Sequence, residues 1–449
     1  MKRLLLLLTA IGVVAVSCQK DIAYSDMSEK ETSIEVKISP YAVSEEKALS
    51  RLESELATIK GVETRASNRS VRTIKPIKFN DIAPATRSSD IDVDNLLYIV
   101  EFEDGQGSAI LGADERVEPI YAILDESVLT EEDFQNATNC ENRDNISTFT
   151  AGLIAQSAIN SVSTYGLLPD QEITSDFYDI EEEKVSVIYI PPMLFTKWGQ
   201  NSPYNDEFPM TNDNSTYYYI PYAGCGAISV AQILTYHQVS PLVNINNRIH
   251  LYSDVSRFNI YNDYQLIDDY YKTRLGYFIY DIAVDMNSVY KPDGTSTSTY
   301  SAAKLLRKSG LSGVLTKYSM KEDVVNDMLN EGNPVWIRAE DDNGTPDNDD
   351  DNKGHAWVID GRRYTQTSLY KVTIRDGQVI SREFMQSYLT NYIHCNFGWS
   401  GDCDGYYNYN VYDLTYRKSG EMYEPMYGDV DTTRNRVYQL DINLIKYHR

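Results

Sequence analysis

Pro221 to Tyr236 limits what this chain can be more than any other stretch. Cys225 stands between Gly224 and Gly226, and Ala227, Ile228, Val230, Ala231, Ile233 and Leu234 follow it at helical spacing. That pattern places a thiol at the first residue of a buried helix, where unsatisfied N–H groups favour the thiolate over the thiol. The two glycines leave room for a substrate backbone beside the sulfur. A small buried cysteine is the plainer reading of the same residues, so partners elsewhere in the chain decide between the two.

The chain of 449 residues is 42% hydrophobic and long enough for two domains. Its net charge of -25 excludes nucleic acid as a partner class, because phosphate recognition needs a basic surface. Met1-Lys2-Arg3 followed by Leu4 to Val16 is a basic n-region and an apolar h-region too short to span a bilayer, which predicts export. Ala15-Val16-Ser17-Cys18 resembles a lipobox. By that likeness Cys18 is lipidated and anchors the protein in the outer membrane, and Gln19-Lys20-Asp21 is similar to surface-export signals of certain Gram-negative lipoproteins. An ordinary secretory signal is the alternative.

The remaining cysteines, Cys140, Cys225, Cys395 and Cys403, are too few for a disulfide framework, and spacing leaves open whether Cys395 and Cys403 pair. The five histidines show no metal-ligand spacing, so no cofactor is expected. An acidic stretch from Glu340 to Lys353 precedes His355; it lacks the glycine and bidentate glutamate of an EF-hand loop and reads as solvated.

Residues 19–90 read as a polar, mobile leader with one helix from Ser44 to Lys60 and a serine-rich basic linker from Arg65 to Arg87. Leu96 to Phe102, Ser108 to Gly112 and Glu118 to Leu124 predict a small antiparallel unit turned at Asp104-Gly105. Helical periodicity follows up to Tyr165, then an acidic linker from Pro169 to Glu183 and a strand from Val185 to Ile190. Tyr300 to Ser309 predicts a helix stopped by Gly310, and Ser319 to Glu322 a capping box opening another that closes at Gly332. Short strands are expected at Val335–Arg338, Ala356–Asp360, Lys371–Ile374, Gln378–Ile380 and Tyr392–Asn396. Helices first and an antiparallel sheet second make the expected class α+β.

Three pieces join Cys225 in one chemistry. His355 opens a strand after a polar loop, where a neutral imidazole can take the thiol proton; a satisfied strand-end histidine is the plainer reading. Asn396 ends another strand at Asn396-Phe397-Gly398-Trp399, where it can accept from the far ring nitrogen, or simply make a turn. Trp399 can shield that bond, or belong to the core. Gln200 carries an amide suited to stabilise an oxyanion beside the Cys225 N–H.

Trp198-Gly199-Gln200 with Pro203-Tyr204-Asn205, Gly224-Cys225 with Ala231-Gln232-Ile233 and Tyr236-His237, Gly354 to Gly361, and Asn396 to Trp399 together resemble the streptopain family of papain-like cysteine peptidases. Leu96 to Val128 resembles that family's inhibitory propeptide. The resemblance implies a papain-like fold of two lobes, one helical and one a twisted antiparallel sheet, preceded by a small α+β propeptide domain. It implies an exported endopeptidase zymogen with Cys225 as nucleophile, His355 as base, Asn396 as orienter and Gln200 as oxyanion donor. Protein or peptide substrates and the chain's own propeptide are the implied partners. The domains expected are a signal at 1–18, a leader at 19–90, a propeptide and linker at 91–184 and the peptidase at 185–449. Phe397 stands where the family often has tryptophan. A catalytically silent lipoprotein that binds peptides or host proteins, and a transamidase or amidase on the same fold, are the competing functions.

Overall fold

The computed structural model describes residues 39, 41–58, 69–82, 93–139, 145–165, 179–212, 218–239, 243–245, 248–256, 268–291, 294–341, 353–375, 378–412 and 440–449, all within one compact unit. Cys18 with the rest of the leader, Cys140 and most of the acidic stretch before His355 lie outside the described residues.

The N-terminal part opens with α1 (Glu45–Ala57), which starts because the Ser44 hydroxyl accepts from the Lys47 N–H. β1 (Val71–Lys78), α2 (Phe79–Ile82), β2 (Asn95–Phe102), β3 (Ser108–Gly112) and β4 (Ile120–Leu124) follow. The turn between β2 and β3 holds Asp104 and Gly105 at φ 55° and 66°, the left-handed pair that a tight hairpin requires. α3 (Glu131–Thr138) is opened by a Thr130–Asp133 capping box, and α4 (Ile146–Tyr165) buries Ile154, Ile159 and Val162. β5 (Asp179–Ile190) begins within the expected acidic linker.

The second part is helical first. α5 (Cys225–Tyr236) is followed by the small hairpin β6 (Val243–Ile245) and β7 (Arg248–His250), α6 (Tyr252–Val255), α7 (Asp269–Asp285), the hairpin β8 (Val289–Lys291) and β9 (Gly294–Ser296), and α8 (Thr299–Lys308). β10 (Ser312–Tyr318), α9 (Glu322–Asn330), β11 (Val335–Asp341), β12 (Lys353–Arg375), β13 (Gln378–Asn396), β14 (Gly405–Asn408) and β15 (Leu440–His448) complete the chain. The fold is α+β, and every strand pair among the described residues is antiparallel.

The main sheet runs β1-β2-β3-β4-β14-β13-β12-β11-β15-β10, with β5 on β12. β12 pairs β11 through residues 353–359 and β5 through residues 362–372, so one strand serves two neighbours in turn. The expected short strands at Lys371–Ile374 and Gln378–Ile380 are therefore the far ends of two long ones. Period-2 signals fade in the first part of β13, residues 378–391, because neither face there is fully buried.

Three other expectations change. β1 and α2 occupy part of the stretch read as a basic linker, and Ile77, Phe79 and Ile82 of these elements are buried in the core. α1 is equally built in, with Ala48, Leu52 and Leu56 packed on Tyr98, Phe102, Leu111, Tyr392 and Tyr406. The segments expected to be separate, 91–184 and 185–449, share one sheet, because β4 pairs with β14 at Leu124 and Gly405. Finally, α9 begins at Glu322 with Lys321 as its cap and no side-chain capping bond; Ser319, at φ 69°, gives its N–H to Ile442 instead.

Candidate active site

Cys225 is the first residue of α5, with Gly224 before it at φ 93°. A side chain at Gly224 would stand 2.9 Å from Thr295 Cγ2, and one at Gly226 would stand 2.8 Å from Thr297 Cγ2. The space kept by the two glycines is thus taken by the β9 segment, which locks the helix start against the neighbouring hairpin.

β12 brings the other groups to the sulfur. The Ala356 N–H donates to Cys225 Sγ at 3.3 Å, and His355 hydrogen-bonds the thiol. Burial pushes the thiol up, but the charge and hydrogen bond of His355, the Ala356 N–H and the charge of Arg338 outweigh it and lower it from 9.0 to about 7. Arg338 was not singled out in the sequence; it stands on β11 in register with Ala356. Alkylation of Cys225 by iodoacetamide should therefore rise with pH about a midpoint near 7, since only the thiolate reacts. A midpoint at or above about 8.5, that of an ordinary thiol, would contradict this arrangement.

The His355 ring sits among four aromatic rings. It stacks with Trp357 at 6.2 Å, Phe397 at 5.9 Å and Trp399 at 6.4 Å between centroids, and Phe149 of α4 lies 6.1 Å away. His355 Nε2 lies 3.0 Å from the Phe397 carbonyl oxygen. A carbonyl only accepts, so Nε2 carries a hydrogen and Nδ1 is left for proton exchange with the thiol.

The structure does not bring the Asn396 side chain to the imidazole. Its Oδ1 accepts from Gln232 Nε2 at 3.0 Å and from the Gly398 N–H at 3.2 Å, while its Nδ2 donates to the Thr196 carbonyl at 2.8 Å. Asn396 thereby ties β13 to α5 and sets the turn that presents the Phe397 carbonyl. Gln232, fully buried in α5, also accepts from Thr196 Oγ1 at 2.7 Å. The sequence signal for it was a glutamine in an otherwise apolar helix.

Gln200 is buried, and its main-chain carbonyl accepts from the Ala223 N–H at 2.9 Å, two residues before the thiol. Its Nε2 is a buried donor with no acceptor among the described residues. Such a group is poised for negative charge that arrives only during a reaction. The indole of Trp399 lies across the imidazole and 6.0 Å from Tyr222.

Beneath the site sits a buried ionic group that sequence reading missed. His394 Nδ1 lies 2.6 Å from Asp360 Oδ1, and Nε2 lies 3.2 Å from Asp125 Oδ2 in the segment after β4. Burial lowers His394, but Asp360 and Asp125 raise it well above the ordinary imidazole value. An aspartate in the run Val358-Ile359-Asp360 was the available signal, since a carboxylate in a buried strand needs a partner. Cys395 and Cys403 are free and buried, with Tyr412 Oη and Ser147 Oγ as their neighbours. No group of three His, Cys, Asp or Glu among the described residues is placed to hold a metal ion.

Residues 198–407 match the model of the Peptidase C10 family. Among solved structures the chain is similar to a fragment of prointerpain A from Prevotella intermedia, with 16% identity over 84% of this chain and 98% of that one and a TM-score of 0.48. It is also similar to active wild-type interpain A cysteine protease from the same organism, with 17% identity over 58% and 95% of the two chains and a TM-score of 0.36. No curated protein matches the chain. The family match covers Gln200, Cys225, His355, Asn396 and Trp399, and it supports a peptidase hydrolase.

Proposed function

We propose that this chain, a peptidase by its match to the Peptidase C10 family over residues 198–407, is an exported cysteine endopeptidase zymogen. The observation that carries the reading is the Cys225 thiol at the start of α5, held by the Ala356 N–H and His355 and lowered to about 7. At neutral pH a substantial share of such a thiol is thiolate, paired with imidazolium.

The thiolate attacks the scissile carbonyl carbon, and the oxygen becomes an anion between the Cys225 N–H and Gln200 Nε2. His355 then passes its proton from Nδ1 to the departing amine, leaving a thioester. Water, deprotonated by the same nitrogen, attacks the thioester and restores the thiol. The Phe397 carbonyl holds Nε2–H throughout, so the ring turns neither tautomer nor face. Asn396 acts one step back, by fixing the turn that carries Phe397, and Trp399 keeps water from the ring.

The zymogen part of the reading rests on how the N-terminal segments touch the peptidase. β4 extends its sheet, Phe149 lies against His355, and Asp125 reaches His394. Release of residues before the peptidase segment frees all three contacts. In this reading Cys18 carries a lipid anchor to the outer membrane, with protein or peptide substrates met outside the cell.

A thiol-directed epoxide tests the reading. The processed protein is expected to take one label at Cys225, lost in Cys225→Ala, and to generate new peptide termini from casein. Processed protein that takes no label would instead be a binding module. Ammonia or cross-links without new termini would make it a transamidase.

A further inference from the structure

The outer half of β12 carries a group with no part in peptide cleavage. Arg363 and Thr365 lie two positions apart on β12, and Lys184 stands in register with Thr367 on β5. All three converge on a carboxylate from a distant part of the chain, Glu55 in the last turn of α1. Glu55 Oε1 accepts from Arg363 Nη2 at 2.5 Å and from Thr365 Oγ1 at 2.8 Å, and Oε2 lies 3.4 Å from Lys184 Nζ. Arg363 Nη2 also donates to the Glu55 main-chain carbonyl at 2.7 Å. One guanidinium thus reads both a carboxylate and the negative end of a helix.

Two features set this apart from a structural seam. The Glu55 and Arg363 side chains are 1% and 2% exposed, and a desolvated ion pair stabilises a seam no better than apolar residues of the same size. In addition, Arg363 Nε is buried with no acceptor, so Glu55 leaves unused half of a fork that could grip a carboxylate through two parallel bonds. One turn before Glu55, Arg51 Nη2 lies 3.7 Å from Glu182 of β5, which gives the contact a direction along the helix.

We infer that Arg363, Thr365 and Lys184 form a carboxylate-binding site on the peptidase, filled by α1 in the full chain. Once α1 has gone, the site takes the C-terminal turn of a helical protein segment bearing Glu with a basic residue four positions before it. This rests on the zymogen reading with cleavage ahead of β5 rather than at the expected boundary of 185, so that Lys184 and Glu182 stay paired to β12 when α1 leaves.

The probe is a fluorescent peptide of residues 44–58, titrated by anisotropy into processed enzyme whose new N-terminus and epoxide label at Cys225 have been verified. The peptide is expected to bind, and its Glu55→Gln version to bind about ten- to a hundredfold more weakly. Arg363→Gln in the enzyme should erase that difference, and Thr365→Val should reduce it. Equal binding of the two peptides, or none, to processed and labelled enzyme overturns the site while leaving the peptidase reading intact. The peptide change alters nothing in the enzyme, so the result stands even if Arg363→Gln fails to fold. In the uncleaved Cys225→Ala chain, Glu55→Gln should speed trypsin cleavage at Arg51 about ten- to a hundredfold; an unchanged rate also overturns the site.

Discussion

Turnover of a peptide substrate is expected to fall by roughly 10⁴-fold or more in Cys225→Ala, and by a comparable factor in His355→Ala. Each change removes one half of a single proton-sharing pair, in which the thiol is lowered to about 7 chiefly by the neighbouring imidazole against the opposing effect of burial. The double variant should be no slower than either single one, since residues that act as a unit are not additive. Single-turnover assays on the two variants and the pair decide it, with thermal unfolding as a check that all three are folded. A double variant slower by the product of the two factors would show that the groups act independently, and the ion-pair mechanism would fall.

Asp360→Asn should cost about 3–5 kcal/mol of stability, the range found when a buried ion pair loses one partner. Asp360 is fully buried, holds His394 Nδ1 at 2.6 Å and accepts the Leu194 N–H at 2.9 Å. Opposed by burial, the neighbouring carboxylates still raise His394 well above its ordinary value. A group raised in the folded state stabilises fully below its unfolded pKa of about 6.5, and that contribution disappears as pH climbs through the folded pKa. The gap between wild type and Asp360→Asn should therefore be widest near about pH 6 and shrink toward about pH 9. Urea unfolding at the two pH values measures it. A variant as stable as wild type at both would mean that His394 is not held as an imidazolium.

The elements that place the chemistry were legible where the signal is short in range. A thiol before an apolar helical run opens α5, and glycines at positive φ follow α8 and α9 at Gly310 and Gly332. β2, β3 and β4 were likewise visible as apolar runs around a left-handed turn. The leader was less legible, because α1 and β1 bury only part of a polar sequence and the cover of α1 includes Tyr392 and Tyr406, more than three hundred residues away. At the site, Asn396 was read for its side chain, whereas the group beside His355 is the next residue's main-chain oxygen. Every residue has such an oxygen, so composition carries no trace of which one is used.

By itself the sequence determined where α5, α8 and the strands β2 to β4 lie, and that a thiol and an imidazole stand on separate elements. Those outcomes follow from side-chain size, polarity and backbone freedom over a few neighbouring residues. Only the tertiary structure decided that Phe397 O faces the ring, that β4 continues the sheet beyond β14, and that Glu55 closes on Arg363. These contacts join residues far apart in the chain through main-chain atoms and buried charges, whose partners are chosen by packing and desolvation after the local elements have formed.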